Sequence, residues 1–125
     1  MIFFFIFCFS SFYRENISYL VWYIILTYRE RSFDLLFSHD VRAIAAIDEC
    51  RKHNIVVGKD MSFIGFDDLP LAEQTCPPLT TIRQDRIAIG KCSFYAVNCL
   101  INRIPIGSIL LRPSLILRES CCPPG

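Results

Sequence analysis

The sequence predicts an α/β fold in which a parallel sheet is flanked by helices. The first observation is a strand–helix–strand order, with an extended run over 32–37, a helical stretch over 41–53 and an apolar run, Met61–Phe66. Such a connection joins parallel strands by a right-handed crossover. The second observation is that two carboxylates, Asp67 and Asp68, directly follow the apolar run. Ligands of open α/β sheets bind beyond the carboxyl ends of the strands.

The helical stretch over 41–53 is amphipathic. Its apolar residues recur at three- and four-residue steps, as on the buried face of a helix: Val41, Ile44, Ala45, Ile47 and Cys50. Ser38 or Asp40 can accept hydrogen bonds from the free N–H groups of its first turn, and Asn54 is the predicted C-cap. His39 lies at the same junction, where the simplest role for a lone His is a capping or surface group.

The two carboxylates suit ligand binding better than catalysis. Adjacent residues of a strand point to opposite faces, so Asp67 and Asp68 do not converge on one bond. Their simplest role is to begin the turn before Leu69-Pro70. The sequence has no nucleophile with its base, no glycine-rich phosphate loop and no metal-ligand cluster. We therefore predict no catalytic residue, no metal and no cofactor, whereas Asp67 at a strand end can accept hydrogen bonds from a small polar ligand.

A third strand and a second helix are predicted further along the chain. The strand over 79–84 is entered from Pro77-Pro78 and contains β-branched residues. The helix over 86–104 has Asp85 as its predicted N-cap. One apolar stripe runs along it: Ile89, Cys92, Ser93, Ala96, Val97, Leu100 and Ile104. The stripe predicts a mostly buried helix, or a partner surface if it is left uncovered. Extended stretches over 108–111 and 115–118 precede the C-terminus.

Composition limits the class of protein. A chain of 125 residues is enough for one small domain at most, and its net charge of +1 gives no field that favours nucleic acid or acidic membranes. It contains seven Cys without a Cys-x-x-Cys motif. We interpret them as reduced thiols of an intracellular protein.

Residues 1–32 do not share the pattern of the rest. Their two apolar runs, over 1–9 and 19–26, are separated by a polar stretch, and neither reaches the ~20 residues that a membrane-spanning helix needs. No basic residue precedes the first run, unlike in a signal peptide. Three interpretations stay open: a membrane-associating segment, a buried part of the fold, or sequence unrelated to the downstream domain. We favour the third, such as read-through of AT-rich DNA upstream of a broken gene.

Ordered motifs between Leu35 and Ser120 indicate a family. They are Ser38-His39-Asp40 with Ala43-Ile44-Ala45, Ile64-Gly65-Phe66-Asp67-Asp68, Pro77-Pro78-Leu79-Thr80-Thr81-Ile82-Arg83-Gln84, Gly90, and Leu110-Leu111-Arg112-Pro113 through Leu117-Arg118-Glu119-Ser120. In these motifs the chain resembles the C-terminal portion of the lactose-repressor/galactose-repressor (LacI/GalR) family of bacterial transcription regulators. The resemblance covers about two thirds of the 125 residues.

The resemblance implies a fold, a ligand and partners. The fold is a two-subdomain, periplasmic-binding-protein-like type I domain with a sugar- or nucleoside-like effector in its cleft. Asp67 matches the carboxylate that bonds effector hydroxyls, and Asp40 matches the neighbouring Asp of the site. His39 departs from the family, which usually has a ligand-contacting Asn there, and Gln84 matches the crossover between subdomains. Full-length members are cytoplasmic homodimers whose helix-turn-helix headpiece binds operator DNA.

The resemblance also divides the chain. Residues 1–32 are an unmatched apolar segment, residues 33–120 are the C-terminal part of the effector domain, and residues 121–125 are a tail. Because most strands of the second subdomain are absent, we expect poor stability and a tendency to aggregate or dimerise. No stretch predicts a basic helix-turn-helix, so operator binding is expected only through a headpiece absent here.

Two alternatives to a regulator remain. One is a fragment of a periplasmic-type sugar-binding protein, which shares the fold. The other is a non-functional truncated gene product whose residues 1–28 associate with a membrane. An enzyme is the least supported class, because no catalytic constellation is present.

Overall fold

The computed structural model describes residues 33–37 and 39–121. These two ranges contain four strands and three helices. The predictions for residues 1–32, for Ser38 and for 122–125 lie outside the described residues.

Four strands form one mixed sheet. Strand β1 spans Phe33–Leu36, β2 spans Met61–Phe66, β3 spans Thr80–Arg83 and β4 spans Ser114–Ile116. Their spatial order is β1-β2-β3-β4, in which the first three strands are parallel and β4 is antiparallel to β3. The predicted α/β class is confirmed. The carboxyl ends of β1, β2 and β3 meet at one edge of the sheet.

Three helices connect these strands: α1 over Asp40–Lys52, α2 over Pro70–Gln74 and α3 over Arg86–Ile101. Helix α1 links β1 to β2 as predicted, and α3 ends three residues before its predicted end at 104. Helix α2 was not predicted. It is a short helix with Pro at its start and no side-chain cap.

The ends of α1 differ from the predicted caps. The N-cap is His39, whose Nδ1 accepts a hydrogen bond of 3.4 Å from the Val41 N–H. Asp40 is the first helical residue, so its prediction as the cap is wrong. The C-cap is His53, and Asn54 follows it with a left-handed φ of 59°.

The hydrophobic core lies between α1 and the sheet. It consists of Leu35, Phe37, Ala43, Ala46, Ile47, Cys50, Val57, Met61, Phe63, Ala72 and Leu79. The rings of Phe37 and Phe63 pack edge to face, with centroids 5.1 Å apart. Burial, with a smaller contribution from Glu49, raises the pKa of the Cys50 thiol to about 11, which keeps this thiol protonated and unreactive.

The chain after β4 is tied to the sheet. Ser120 is fully buried, and its hydroxyl donates to the Phe63 carbonyl (2.6 Å) and accepts from the Thr80 N–H (2.8 Å). A Cβ at Gly58, which has a φ of +87°, would overlap the Glu119 carbonyl. Hydrogen bonds therefore fix the segment up to Ser120 against β2 and β3.

Helix α3 departs from the predicted mostly buried helix. Within it only Cys99 is buried, and Ile87, Phe94 and Ile101 are 72%, 77% and 74% exposed. A groove of about 330 Å³ separates one face of α3 from the loop that follows the helix. It is lined by Ile89, Cys92, Ser93, Ala96, Ile106, Gly107, Ile109 and Leu111. The prediction of burial is wrong for the described residues, among which no sheet covers this helix.

Candidate functional site

Three strand ends bring predicted site residues together around Asp67. Asp67 directly follows β2, and its Oδ2 lies 3.2 Å from Nε2 of His39, which lies between β1 and α1. Its Oδ1 accepts a hydrogen bond of 3.2 Å from Nε2 of Gln84, just after β3. The Asp67 and His39 side chains are 29% and 46% exposed. The carboxyl edge of the sheet thus presents a carboxylate, an imidazole and an amide to solvent, where ligands of such sheets bind.

The backbone at this point is strained. Asp67 and Asp68 have φ values of 103° and 48°, in the left-handed region that residues with a Cβ rarely adopt. Three consecutive N–H groups are held by neighbouring segments: Asp67 donates to the Ile82 carbonyl (2.9 Å), Asp68 to Thr81 Oγ1 (3.3 Å) and Leu69 to Asp40 Oδ2 (2.7 Å). Strained residues cluster at functional sites, where the surrounding structure maintains them.

Asp40 lies beneath this turn and is fully buried. Its Oδ1 accepts a 2.6 Å hydrogen bond from the Thr81 hydroxyl, and its Oδ2 accepts from the Leu69 N–H at 2.7 Å. A Cβ at Gly65 would overlap Oδ1, so glycine is needed where the strand passes the carboxylate. Asp40 was predicted as an effector contact, but its burial and its two engaged oxygens leave it no surface for a ligand in this structure.

Asp68 and Asp67 have different partners: both lie after the end of β2, and the Asp68 carboxylate binds arginines whereas that of Asp67 contacts His39 and Gln84. Asp68 Oδ2 accepts from Arg83 Nε at 2.5 Å and its Oδ1 from Arg118 Nη2 at 2.8 Å. The Asp68 side chain is only 8% exposed. Although burial alone would raise the pKa of its carboxyl, hydrogen bonds and charges from Arg118 and Arg83 outweigh it and lower that pKa. The Asp68 carboxylate is thus ionised and forms ion pairs with two arginines.

Sequence reasoning missed the arginines around this turn. Besides Arg83 and Arg118, Arg86 donates from Nη2 to the backbone carbonyls of Asp67 (3.2 Å) and Asp68 (3.3 Å). No local signal marks such contacts, since Arg118 lies 50 positions from Asp68.

The described residues offer no metal centre and no membrane span. Within 33–37 and 39–121, no three His, Cys, Asp or Glu side chains are grouped so that they could hold a metal ion. No helix in the same part of the chain has the length and apolar character to cross a bilayer. The site can instead form hydrogen bonds with the hydroxyl or N–H groups of a neutral polar molecule.

A family model for the periplasmic binding protein-like domain matches residues 24–121. The chain belongs to this family. The match begins inside the segment 1–32, earlier than the boundary drawn from the motifs. It includes every residue of the site around Asp67.

Relatives of the chain are transcription regulators. It is 36% identical over 104 residues to the transcriptional repressor PurR of Haemophilus influenzae (strain PittEE), covering 77% of this chain and 30% of PurR. It is 36% identical over 91 residues to the repressor CytR of Escherichia coli (strain K12), covering 68% of this chain and 26% of CytR. The chain therefore spans less than a third of the length of either relative.

A solved structure agrees with these sequences. The structure of the Lac repressor dimer bound to operator and the anti-inducer ONPF matches with a TM-score of 0.77 and 26% identity, covering 86% of this chain and 38% of that chain. The LacI/GalR resemblance is confirmed, and the chain corresponds to part of the effector domain of that family.

Proposed function

We propose that this chain is the effector-binding part of a LacI/GalR-type transcription regulator and that its ligand binds at Asp67, His39 and Gln84. The observation that carries the proposal is the convergence of these three side chains from three strand ends. They are the polar, partly exposed groups at the edge where ligands of parallel sheets bind.

The hydrogen bonds at the site favour a polyhydroxyl ligand such as a sugar or a nucleoside. Each carboxylate oxygen of Asp67 has one protein partner, and because a carboxylate offers about four lone-pair positions, it can accept further donors. Nδ1 of His39 accepts a hydrogen bond from the Val41 N–H, and its Nε2 lies within hydrogen-bond distance of the Asp67 carboxylate. A neutral imidazole protonated on Nε2 satisfies both contacts and holds the ring in place.

Asp40 supports this site from below and does not contact the ligand. Its buried oxygens fix Leu69 and Thr81, which flank the turn that carries Asp67. We assign it a structural role in place of the effector contact that the resemblance implies.

The partners of the intact regulator follow from the family. We propose a cytoplasmic homodimer that binds operator DNA through a headpiece, with Gln84 at the crossover between subdomains. We propose no enzymatic activity, because the site pairs its carboxylate with an imidazole and an amide whose hydrogen bonds suit binding.

A calorimetric titration tests the proposal with D-ribose, D-glucose and adenosine as probes. We expect at least one of them to bind saturably to the wild-type chain. Asp67→Asn should weaken that binding about tenfold or more, because a hydrogen bond to a charged group contributes roughly 1.5–3 kcal/mol. Glu73→Gln, which removes an exposed carboxylate on α2, is the matched control and should bind as the wild type does. Equal affinities of wild type and Asp67→Asn would refute the proposed site.

A further inference from the structure

We propose that Arg83, Arg86 and Arg118 act together as positioning residues for Asp67. These three side chains, called here the arginine clamp, hold Asp67 and Asp68 in their left-handed backbone conformation. They thereby direct the Asp67 carboxylate to the exposed edge beside His39 and Gln84. That the orientation of Asp67 matters for a ligand rests on the proposed function. The effect of the arginines on the backbone conformation is independent of that function.

Arg86 contacts the strained backbone directly. Its Nη2 lies 3.2 Å from the Asp67 carbonyl and 3.3 Å from the Asp68 carbonyl, so one donor group bridges both peptide units. Arg86 is the first residue of α3, whose first turn contains no acidic residue. A cation at a helix N-terminus is electrostatically unfavourable. The helix therefore does not explain this arginine, whereas its contact with the two carbonyls does.

Arg83 and Arg118 fix the neighbouring side chain. They bind opposite oxygens of the Asp68 carboxylate at 2.5 and 2.8 Å. Arg118 is itself held by a 2.8 Å hydrogen bond to the Leu79 carbonyl, and its side chain is only 14% exposed. Charge-assisted hydrogen bonds of this kind are stronger than neutral ones and define direction. The Asp68 side chain is thus fixed by two arginines.

The two sets of contacts together determine where Asp67 points. With the Asp68 carboxylate and both carbonyls held, rotation of Asp67 to a negative φ would break the Arg86 contacts and swing its carboxylate away from His39. Arg83 and Arg86 flank the connection from β3 to α3, and Arg118 follows β4. The geometry of the site therefore depends on the connection from β3 to α3 and on the segment after β4.

Nuclear magnetic resonance of the 125-residue chain tests the clamp without a ligand. A residue with positive φ gives a strong NOE between its own amide and α protons. In Arg86→Met we expect this NOE of Asp67 to weaken and its amide to exchange about tenfold faster or more, since hydrogen bonds that restrain the turn are lost. Arg86→Lys, which keeps a cationic donor, should restore part of both signals.

Arg51→Met is the control, because Arg51 also binds a distant backbone carbonyl, that of Cys76, at 2.7 Å. It should leave both Asp67 signals as in the wild type. If Arg86→Met leaves the NOE and the exchange rate at wild-type values, or if Arg51→Met changes them equally, the clamp is refuted. Because no ligand is present, this result is separate from the titration: failure of all probes to bind would refute the proposed function and leave the clamp standing.

Discussion

Removal of the buried Asp40 carboxylate should lower the free energy of unfolding more than removal of an exposed carboxylate does. Asp40→Ala leaves the Thr81 hydroxyl and the Leu69 N–H without their acceptors at a position with no solvent exposure. Each unsatisfied buried donor costs roughly 1–3 kcal/mol, so the two together should cost about 2–6 kcal/mol. A typical domain has only about 5–15 kcal/mol of stability. Asp40→Asn should cost less, because its amide keeps one acceptor for Leu69 and offers a donor to Thr81 Oγ1.

Urea unfolding followed by far-ultraviolet circular dichroism measures this difference. Asp48→Ala is the control on the same helix, since Asp48 is 60% exposed and pairs with Arg51, which is 61% exposed. Such surface pairs contribute little to stability. An Asp40→Ala variant within about 0.5 kcal/mol of the wild type, the range of ordinary surface substitutions, would refute the structural role of Asp40.

Three further predictions concern packing, acidity and self-association. Gly65→Ala should destabilise the chain in thermal unfolding because its Cβ would overlap Asp40 Oδ1, whereas Gly90→Ala meets nothing within 4 Å and should stabilise α3 by about 1 kcal/mol. Asp68 has a lowered pKa in the folded state, so its stabilising contribution is complete above the unfolded value of 3.8 and is lost as pH falls through the folded value. Asp68→Asn should therefore flatten the acid dependence of stability, measured by unfolding below about pH 5. Phe94 is 77% exposed on α3, so Phe94→Ser should reduce self-association in analytical ultracentrifugation.

Each of these predictions has a contradicting result. Equal unfolding temperatures of the Gly65→Ala and Gly90→Ala variants would contradict the difference in packing at the two glycines. An Asp68→Asn variant whose stability falls with acid as steeply as that of the wild type would contradict the role of the Asp68 ion pairs. A Phe94→Ser variant that sediments as the wild type does at every concentration would contradict self-association through α3.

The regular elements could be predicted because their signals are local. The apolar periodicity of Asp40–Lys52 and the β-branched run that ends in Arg83 each lie within one short stretch of sequence. Helix α2 was missed because five residues are too few to show a period. The antiparallel direction of β4 could not be predicted either, because strand pairing is a non-local property. Ser114–Ile116 pairs with a strand some thirty positions earlier.

The site was only partly predictable for the same reason. Asp67 follows an apolar run, and that position alone suggested a ligand carboxylate. The buried hydrogen bond from the Thr81 hydroxyl to Asp40 joins residues 41 positions apart, and no pattern near Asp40 predicts it. The exposure of Phe94 depends on which segments cover α3, which its own periodicity does not determine.

Chemical-shift mapping of a saturating titration tests the central claim most directly. The 125-residue chain, labelled with ¹⁵N, is titrated with D-ribose, D-glucose and adenosine, and the amide shifts are followed residue by residue. We predict that the largest saturable shifts lie at His39, Asp67 and Gln84. Shifts centred instead on the groove beside Ile89 and Ile109, or no saturable shift with any probe, would contradict the assignment of the effector site to the carboxyl edge of the sheet.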